Sequence, residues 1–117
     1  MTLEEKLTAL LRTVCPRVFS DFAPVSTPRP YVTYQQIGGD SVTFMDRSVA
    51  SKENATIQVS VWSESRPEGK AMIKLIERAL IGAADPQCEP LAAASNDFDS
   101  DISRYSSRQD FSCWADR

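Results

Sequence analysis

Few side chains in this sequence have the types and spacing that catalysis requires. The 117 residues include no histidine, which excludes Ser-His-Asp triads, Cys-His pairs and most catalytic zinc sites. Neither GxGxxG nor GxxxxGKS/T occurs, so the common phosphate-binding loops are missing as well. Carboxylate or lysine chemistry stays open in principle, but no pair of residues points to it. We therefore expect a protein that is not an enzyme and needs no cofactor.

The strongest candidate for a metal site is a run of alternating aspartates, Asp97, Asp99 and Asp101. A calcium loop that begins in this way needs Gly at its sixth position and Glu at its twelfth. Counted from Asp97, those positions hold Ile102 and Arg108. The pattern fails at both, so we expect a solvated, negatively charged hairpin tip and no metal site.

Three cysteines, Cys15, Cys88 and Cys113, lie far apart and form no CxxC pair. Their odd number argues against a closed disulfide framework and fits a reducing compartment. Cys113 stands in an apolar alternation and is predicted to be a small core residue. A disulfide between Cys88 and Cys113 is geometrically possible if their strands pair, but the compartment argument favours free thiols.

Length and charge indicate one domain spanning residues 1–117, with an acidic C-terminal third. The net charge is −3 and the pI about 4.9, so no global basic field attracts nucleic acid or an anionic membrane. No apolar run approaches a membrane span, and an N-terminus reading MTLEEKL is wrong for a signal peptide. We expect an intracellular protein that neither recognises nucleic-acid sequence nor binds a membrane.

The first half of the chain predicts a helix followed by two strands. Leucines spaced three and four apart, with a capping box, predict a helix over 2–14. The proline-rich segment 18–30 is predicted to be a surface connector tethered by its apolar residues. Aromatic and β-branched residues predict strands over 31–37 and 41–45, joined by a Gly-Gly hairpin turn. Polar residues 46–54 are predicted to form an exposed loop.

The second half predicts a strand, a helix and two more strands. Strict alternation predicts a strand over 55–62, and a second capping box begins a helix at Ser65 that ends at Gly82. Strands are then predicted near 88–94 and 105–114, separated by the polar segment between them. The fold class is α+β, with the order α-β-β-β-α-β-β. We expect an antiparallel sheet of four to five strands with two amphipathic helices packed on one face.

Four aromatic residues are candidates for binding a partner. Tyr31 and Tyr34 differ by an odd offset and so fall on opposite faces of a strand, which rules out one stacking platform for bases. Trp62 and Trp114 end their strands on the faces opposite the apolar sets. Each either covers a helix end or loop, or anchors a protein interface, and the sequence leaves both readings open.

The segment around 44–53 is the second candidate for a partner contact. The apolar pair Phe44 and Met45 is followed by the charged residues Arg47, Lys52 and Glu53. An ordinary solvated loop has this composition too. We favour a subunit contact, because such an arm can be soluble alone and become ordered on assembly.

Three stretches resemble the tail-completion (tail-terminator) family of long-tailed phages and prophages. The first, PRPYVTYQQIGGD, resembles the P-x-PYV-x-Y motif of the family's first sheet strand. The second, ATIQVSVWSESRPEGKAMIKLIERAL, resembles its hallmark strand ending in V-W or V-Y, followed by a capped helix. The third, SRQDFSCW, is similar to the closing strand R-x-x-D-F-x-V-W, with Cys113 where Val is usual. With the N-terminal helix, the resemblance covers most of residues 3–114.

This resemblance implies an α+β subunit that caps the tail tube, as a six-fold ring, and provides the surface that docks onto the filled head. The implied partners are further copies of the chain, the tail tube protein and the head–tail connector proteins. Such a protein works in the host bacterial cytoplasm during assembly and then in the virion tail. A cyclic ring uses two different patches on each subunit, so the basic-leaning middle could meet the acidic C-terminal third of the next copy. The alternative is a small ligand-binding or regulatory α+β domain without catalytic activity.

Overall fold

A computed structural model describes residues 2–40, 52–100 and 104–116 and, within these, not the side chains of Asp99 and Asp116. Two helices and six strands make up the described part of the chain. In chain order they are α1 (Leu3–Arg12), β1 (Val18–Ser20), β2 (Tyr31–Gly38), β3 (Lys52–Ser63), α2 (Arg66–Gly82), β4 (Gln87–Pro90), β5 (Ser95–Asp99) and β6 (Arg104–Asp116).

The strands form one sheet in the order β1-β2-β3-β6-β4, with β5 also paired to β6. β3 and β6 run antiparallel over twelve register pairs, from Lys52 opposite Asp116 to Ser63 opposite Tyr105. On its other side β6 pairs first with β5 and then, further along, with β4. Because β4 and β5 share that side of β6, they act as two halves of one interrupted edge strand.

Both helices begin where the capping patterns predict. The Thr2 side chain accepts a hydrogen bond from the Glu5 N–H at 3.2 Å, and Ser65 does the same for the Glu68 N–H at 3.4 Å. Each bond satisfies one of the orphan N–H donors of a helix start. Pro67 lies in the first turn of α2, where its missing N–H costs nothing.

The two helices cover one face of the sheet, and a single core lies between them. Alternate residues of β3 are fully or nearly fully buried on this face, as are Phe111 and Cys113 of β6. The helices contribute Leu3, Leu7 and Leu11 from α1 and Ile73, Ile76 and Leu80 from α2. The α+β class, the antiparallel centre and the placement of the helices are confirmed. None of the described helices is long and apolar enough to cross a bilayer.

Two short strands were not predicted. β1 lies in the predicted connector and pairs parallel with β2, Val18 opposite Val32. β5 lies in the polar segment predicted to separate the last two strands, and pairs with β6 from Ser95 opposite Arg108. Both segments are edge strands. β1 is only three residues long and β5 is rich in residues that strands disfavour, so each depends on pairing with its neighbour.

Two boundaries and one predicted packing contact also differ from prediction. β3 begins at Lys52, so residues 52–54 belong to a strand and the predicted loop 46–54 is wrong for them. β4 ends at Pro90 rather than at 94. In the connector, Phe22 and Val25 do not tether the chain to the core, because their side chains are 79% and 96% exposed. The predicted strand 41–45 lies outside the described residues.

Candidate assembly interface

The sheet face that the helices leave uncovered is called the open face here. Its centre is polar and contains two charged groups in otherwise neutral surroundings. The side chains there are Gln35 of β2, Thr56, Gln58 and Ser60 of β3, and Arg108, Asp110 and Ser112 of β6, which the register places side by side. Most are half-buried. A polar, partly desolvated sheet surface fits a wet protein contact better than a core.

An aromatic cluster occupies one end of the open face. Tyr31 and Trp62, direct neighbours across β2 and β3, stack with ring centroids 6.1 Å apart. Phe19 meets Tyr31 edge-on at 6.5 Å. The Arg104 guanidinium lies 5.6 Å from the Tyr31 ring centre and donates a hydrogen bond to its hydroxyl. The cluster is therefore already packed in the single chain.

Trp62 is part of this cluster and is half-buried. Its indole N–H donates to the Thr33 hydroxyl at 3.2 Å, so its polar edge is satisfied within the chain. Trp114 is half-buried on the same face, opposite Asn54 and Gln87. Ser106 pairs with Trp62 and lies eight residues before Trp114, which separates the tryptophans by about 27 Å. The fold therefore places them at opposite ends of the open face.

Tyr31 and Tyr34 lie on opposite faces of β2, as predicted. Tyr34 points to the helix side, where its hydroxyl lies 2.8 Å from the Thr8 hydroxyl and donates to the Glu4 carbonyl at 3.2 Å. Tyr31 lies on the open face in the aromatic cluster. Neither forms an exposed stacking platform, since both side chains are nearly fully buried.

The predicted charged contacts are only partly described. Lys52 and Glu53 are exposed and are the first two residues of β3, in register with Asp116 and Ala115. Asp97 is not at a free hairpin tip: it lies in β5, and its carboxylate accepts a hydrogen bond from Arg108 at 2.7 Å. Asp99 lies in β5 in register with Arg104. Phe44, Met45, Arg47 and Asp101 lie outside the described residues.

Two thiols meet across β4 and β6. Cys88 is in register with Cys113, and the two Sγ atoms hydrogen-bond at 2.9 Å. Both are free cysteines. This contact lowers the pKa of the Cys88 thiol and raises that of Cys113, whose burial raises it further. Cys113 is buried in the core, as predicted. Among the described residues no three Cys, Asp or Glu side chains are grouped for a metal ion.

Sequence reasoning missed the most exposed apolar side chains of the chain's described part. Phe22 and Val25 stand on the loop between β1 and β2, and Leu91 lies half-exposed after β4. A signal was present for the first two. Ala23 and Pro24 break any periodicity around them, and apolar residues without a period have no sheet or helix face to share.

These features define a class: an α+β subunit whose sheet has one covered and one open polar face, with the sequence lacking histidine and phosphate loops. Within that class the chain belongs to the "Tail completion protein gp17" family, whose model matches residues 3–116. It is therefore a structural protein of phage tails. No curated protein sequence matches the chain significantly.

Solved structures show the same fold. One similar chain comes from a structure described as "Virion of native gene transfer agent (GTA) particle". It superposes with a TM-score of 0.60 at 17% identity, covering 95% of this chain and 84% of that one. At this identity the likeness establishes the fold alone.

Proposed function

We propose that this protein caps the tail tube and helps to join the tail to the head, as a homo-oligomeric ring of six copies and without catalytic activity. The observation that carries the proposal is the family match, which spans nearly the whole chain, residues 3–116. The similar chain from a gene transfer agent virion supports a place in an assembled particle. The tail tube protein and the head–tail connector proteins are the proposed partners. Assembly takes place in the host bacterial cytoplasm, and the protein then stays in the virion tail.

The surfaces of the chain suit this role. The open face presents half-buried polar side chains that a partner can meet through direct hydrogen bonds and bridging waters. The sheet ends in two unlike edges, β1 on one side and β4 with β5 on the other. Unlike edges are what a head-to-tail ring requires, since a cyclic contact joins two different patches.

Ten residues are proposed contacts of the ring or its partners. They combine the segment 44–53, the ends of the open face and the acidic segment of β5 and beyond: Phe44, Met45, Arg47, Lys52, Glu53, Trp62, Asp97, Asp99, Asp101 and Trp114. Trp114 is the best of them for a test, because Trp62 already has partners within the chain.

The test is an add-back experiment with tails from a phage whose tail-completion gene is inactivated. Purified protein added to these tails is expected to produce capped tubes and tails joined to heads, counted by electron microscopy. A Trp114→Ala variant is expected to join fewer particles, whereas Leu75→Ser, a change at a half-exposed residue of α2, is expected to act like the unaltered chain. Failure of the unaltered protein to attach or to restore joining would refute the proposal.

A further inference from the structure

A groove of about 550 Å³ runs between α2 and the segment 91–94 that links β4 to β5. Its helix wall carries Lys70 and Lys74, with Glu77 further along. Its other wall is Leu91 and three consecutive alanines, and Leu91 is 55% exposed. The volume is within the range of sites that hold a small ligand or an inserted side chain. The groove is thus apolar on one wall and basic at one end.

The floor of the groove holds a polar atom without a partner. Gln109 is 3% exposed, and its Nε2 donates to the Ala92 carbonyl at 2.8 Å. This bond fixes the amide orientation, because a flipped amide would set Oε1 against that carbonyl oxygen. Oε1 therefore faces away from Ala92, and it has no hydrogen-bond partner in the described chain. A buried acceptor without a donor is costly. Since this oxygen is itself closed to solvent, a guest in the groove meets the apolar wall and the two lysines.

The chain itself carries a matching guest at its opposite edge. The loop between β1 and β2 exposes Phe22 and Val25 almost completely, next to the exposed carboxylate of Asp21. The loop therefore offers apolar side chains that match the apolar wall of the groove and one negative charge opposite in sign to its two lysines.

The loop is also held in shape before binding. Asp21 and Ser26 adopt positive φ values of 69° and 72°, which non-glycine residues keep only when their surroundings impose them. The Asp21 N–H donates to the Tyr34 carbonyl at 2.7 Å, and the Thr27 N–H to the Pro24 carbonyl at 3.2 Å. A pre-shaped guest loses less conformational entropy on binding.

Loop and groove cannot meet within one chain. The loop adjoins β1 and the groove adjoins β4, which lie at opposite ends of the sheet order. Four strand spacings, about 19 Å, separate those strands. A contact between the two surfaces must therefore join different copies, head to tail.

We propose that the groove binds the β1–β2 loop of a second copy, with Phe22 and Val25 against Leu91 and the alanines. Asp21 then lies beside Lys70 and Lys74. This inference rests on the proposed ring and names its repeating contact.

The test is photo-cross-linking from the loop. A Phe22→benzoylphenylalanine chain is mixed with an isotope-labelled unaltered chain, both in concentrated solution and on capped tails, and linked peptides are mapped by mass spectrometry. Links between copies are expected to fall on residues 70–74 and 90–94. The matched control is Phe98→benzoylphenylalanine, which replaces another half-exposed aromatic residue and is expected to give none there.

Charge reversal sharpens the test. Asp21→Lys, or Lys70→Glu with Lys74→Glu, is expected to lower the yield of groove links about fivefold or more, because like charges then face each other. Combining Asp21→Lys with both glutamates is expected to restore the yield. Links from Phe22 that fall elsewhere, or to a different protein, or none at all, overturn the proposal.

The two proposals fail separately. A ring at the tube end without groove links leaves the tail function standing and removes this contact. Groove links between copies that never attach to tails keep the contact and remove the tail function.

Discussion

At the scale of single residues, the thiol pair shows how register creates a chemical environment. Pro90 has no N–H, and the Leu91 N–H donates to the Asp110 carbonyl at 2.9 Å. Alternation along an antiparallel ladder then makes Cys88 and Cys113 a non-hydrogen-bonded pair, in which side chains come closest. The thiols interact for this reason, and their pKa values move in opposite directions.

The first prediction concerns the reactivity of Cys88. Its lowered pKa means that its thiolate forms at a lower pH than that of an ordinary cysteine. As pH is raised, the rate of alkylation by iodoacetamide is therefore expected to increase at a lower pH than for an ordinary cysteine. Cys113→Ala removes the hydrogen-bonding partner and is expected to move this rise to higher pH. Cys113→Ser keeps a donor and is expected to move it less. Mass spectrometry of reduced protein across pH measures all three, and three identical profiles would contradict the account.

The second prediction concerns two glycines of α2. A Cβ at Gly69 would lie 2.7 Å from the Ser63 Oγ and 3.0 Å from the Ser107 Oγ. Both hydroxyls are held by hydrogen bonds, to the Ser65 carbonyl and the Asn96 side chain. Gly69→Ala is therefore expected to destabilise the fold by about 1–3 kcal/mol through overpacking.

Gly82 provides the matched control for this change. It ends the same helix, and a Cβ there would meet nothing within 4 Å. Gly82→Ala is expected to be neutral or to stabilise by up to about 1 kcal/mol. Urea unfolding compares the two variants directly. Equal midpoints would contradict the prediction, because they would mean that the Ser63 and Ser107 side chains move aside at no cost in stability.

Residue types predicted burial well where a period existed and poorly where it did not. Ile57, Val59 and Val61 alternate strictly, and all three are buried on the helix side. Phe22 and Val25 are as apolar but have no period, and they are exposed. Burial is decided by the face that a residue occupies, and hydrophobicity alone does not specify a face.

At the scale of elements, the caps determine where helices begin. Ser65→Ala removes the side chain that accepts from the Glu68 N–H and is expected to cost about 1 kcal/mol. Ser65→Gly is expected to cost only a few tenths of a kcal/mol in stability. Thermal unfolding followed by circular dichroism separates the two. A larger loss for glycine than for alanine would mean that the cap contributes little here.

The elements with strong local signals were predictable, and the edge strands were not. Both helices carry a cap and an apolar stripe, and β3 carries a clean alternation. β1 has three residues, and β5 is rich in Ser, Asn and Asp, which are depleted in strands. These segments become strands through pairing with β2 and β6, a tertiary cause that local patterns do not contain.

The candidate site was predictable to a similar, partial extent. The positions of Trp62 and Trp114 on the face opposite the core followed from strand parity. The stacking of Trp62 on Tyr31 and the pairing of Asp97 with Arg108 did not, because both contacts depend on which strands are neighbours. The unpartnered Oε1 of Gln109 was not predictable either, because the amide is oriented by the Ala92 carbonyl in a bend after β4. No sequence motif predicts that bend.

At the scale of the whole molecule, one face of the sheet is covered by the helices, and the open face with the two unlike edges is where we propose that partners bind. The helices use one side of the sheet for the core. The opposite side and the β1 and β4–β5 edges are then available to other subunits.

The most direct test of this account is a cryo-electron microscopy map of reconstituted tails, taken at the end that joins the head. The account predicts a closed ring of six copies on the tube, each with its β1–β2 loop seated on the neighbour between α2 and β4. Tube ends without density for this fold, or with isolated copies that do not touch one another, would contradict it.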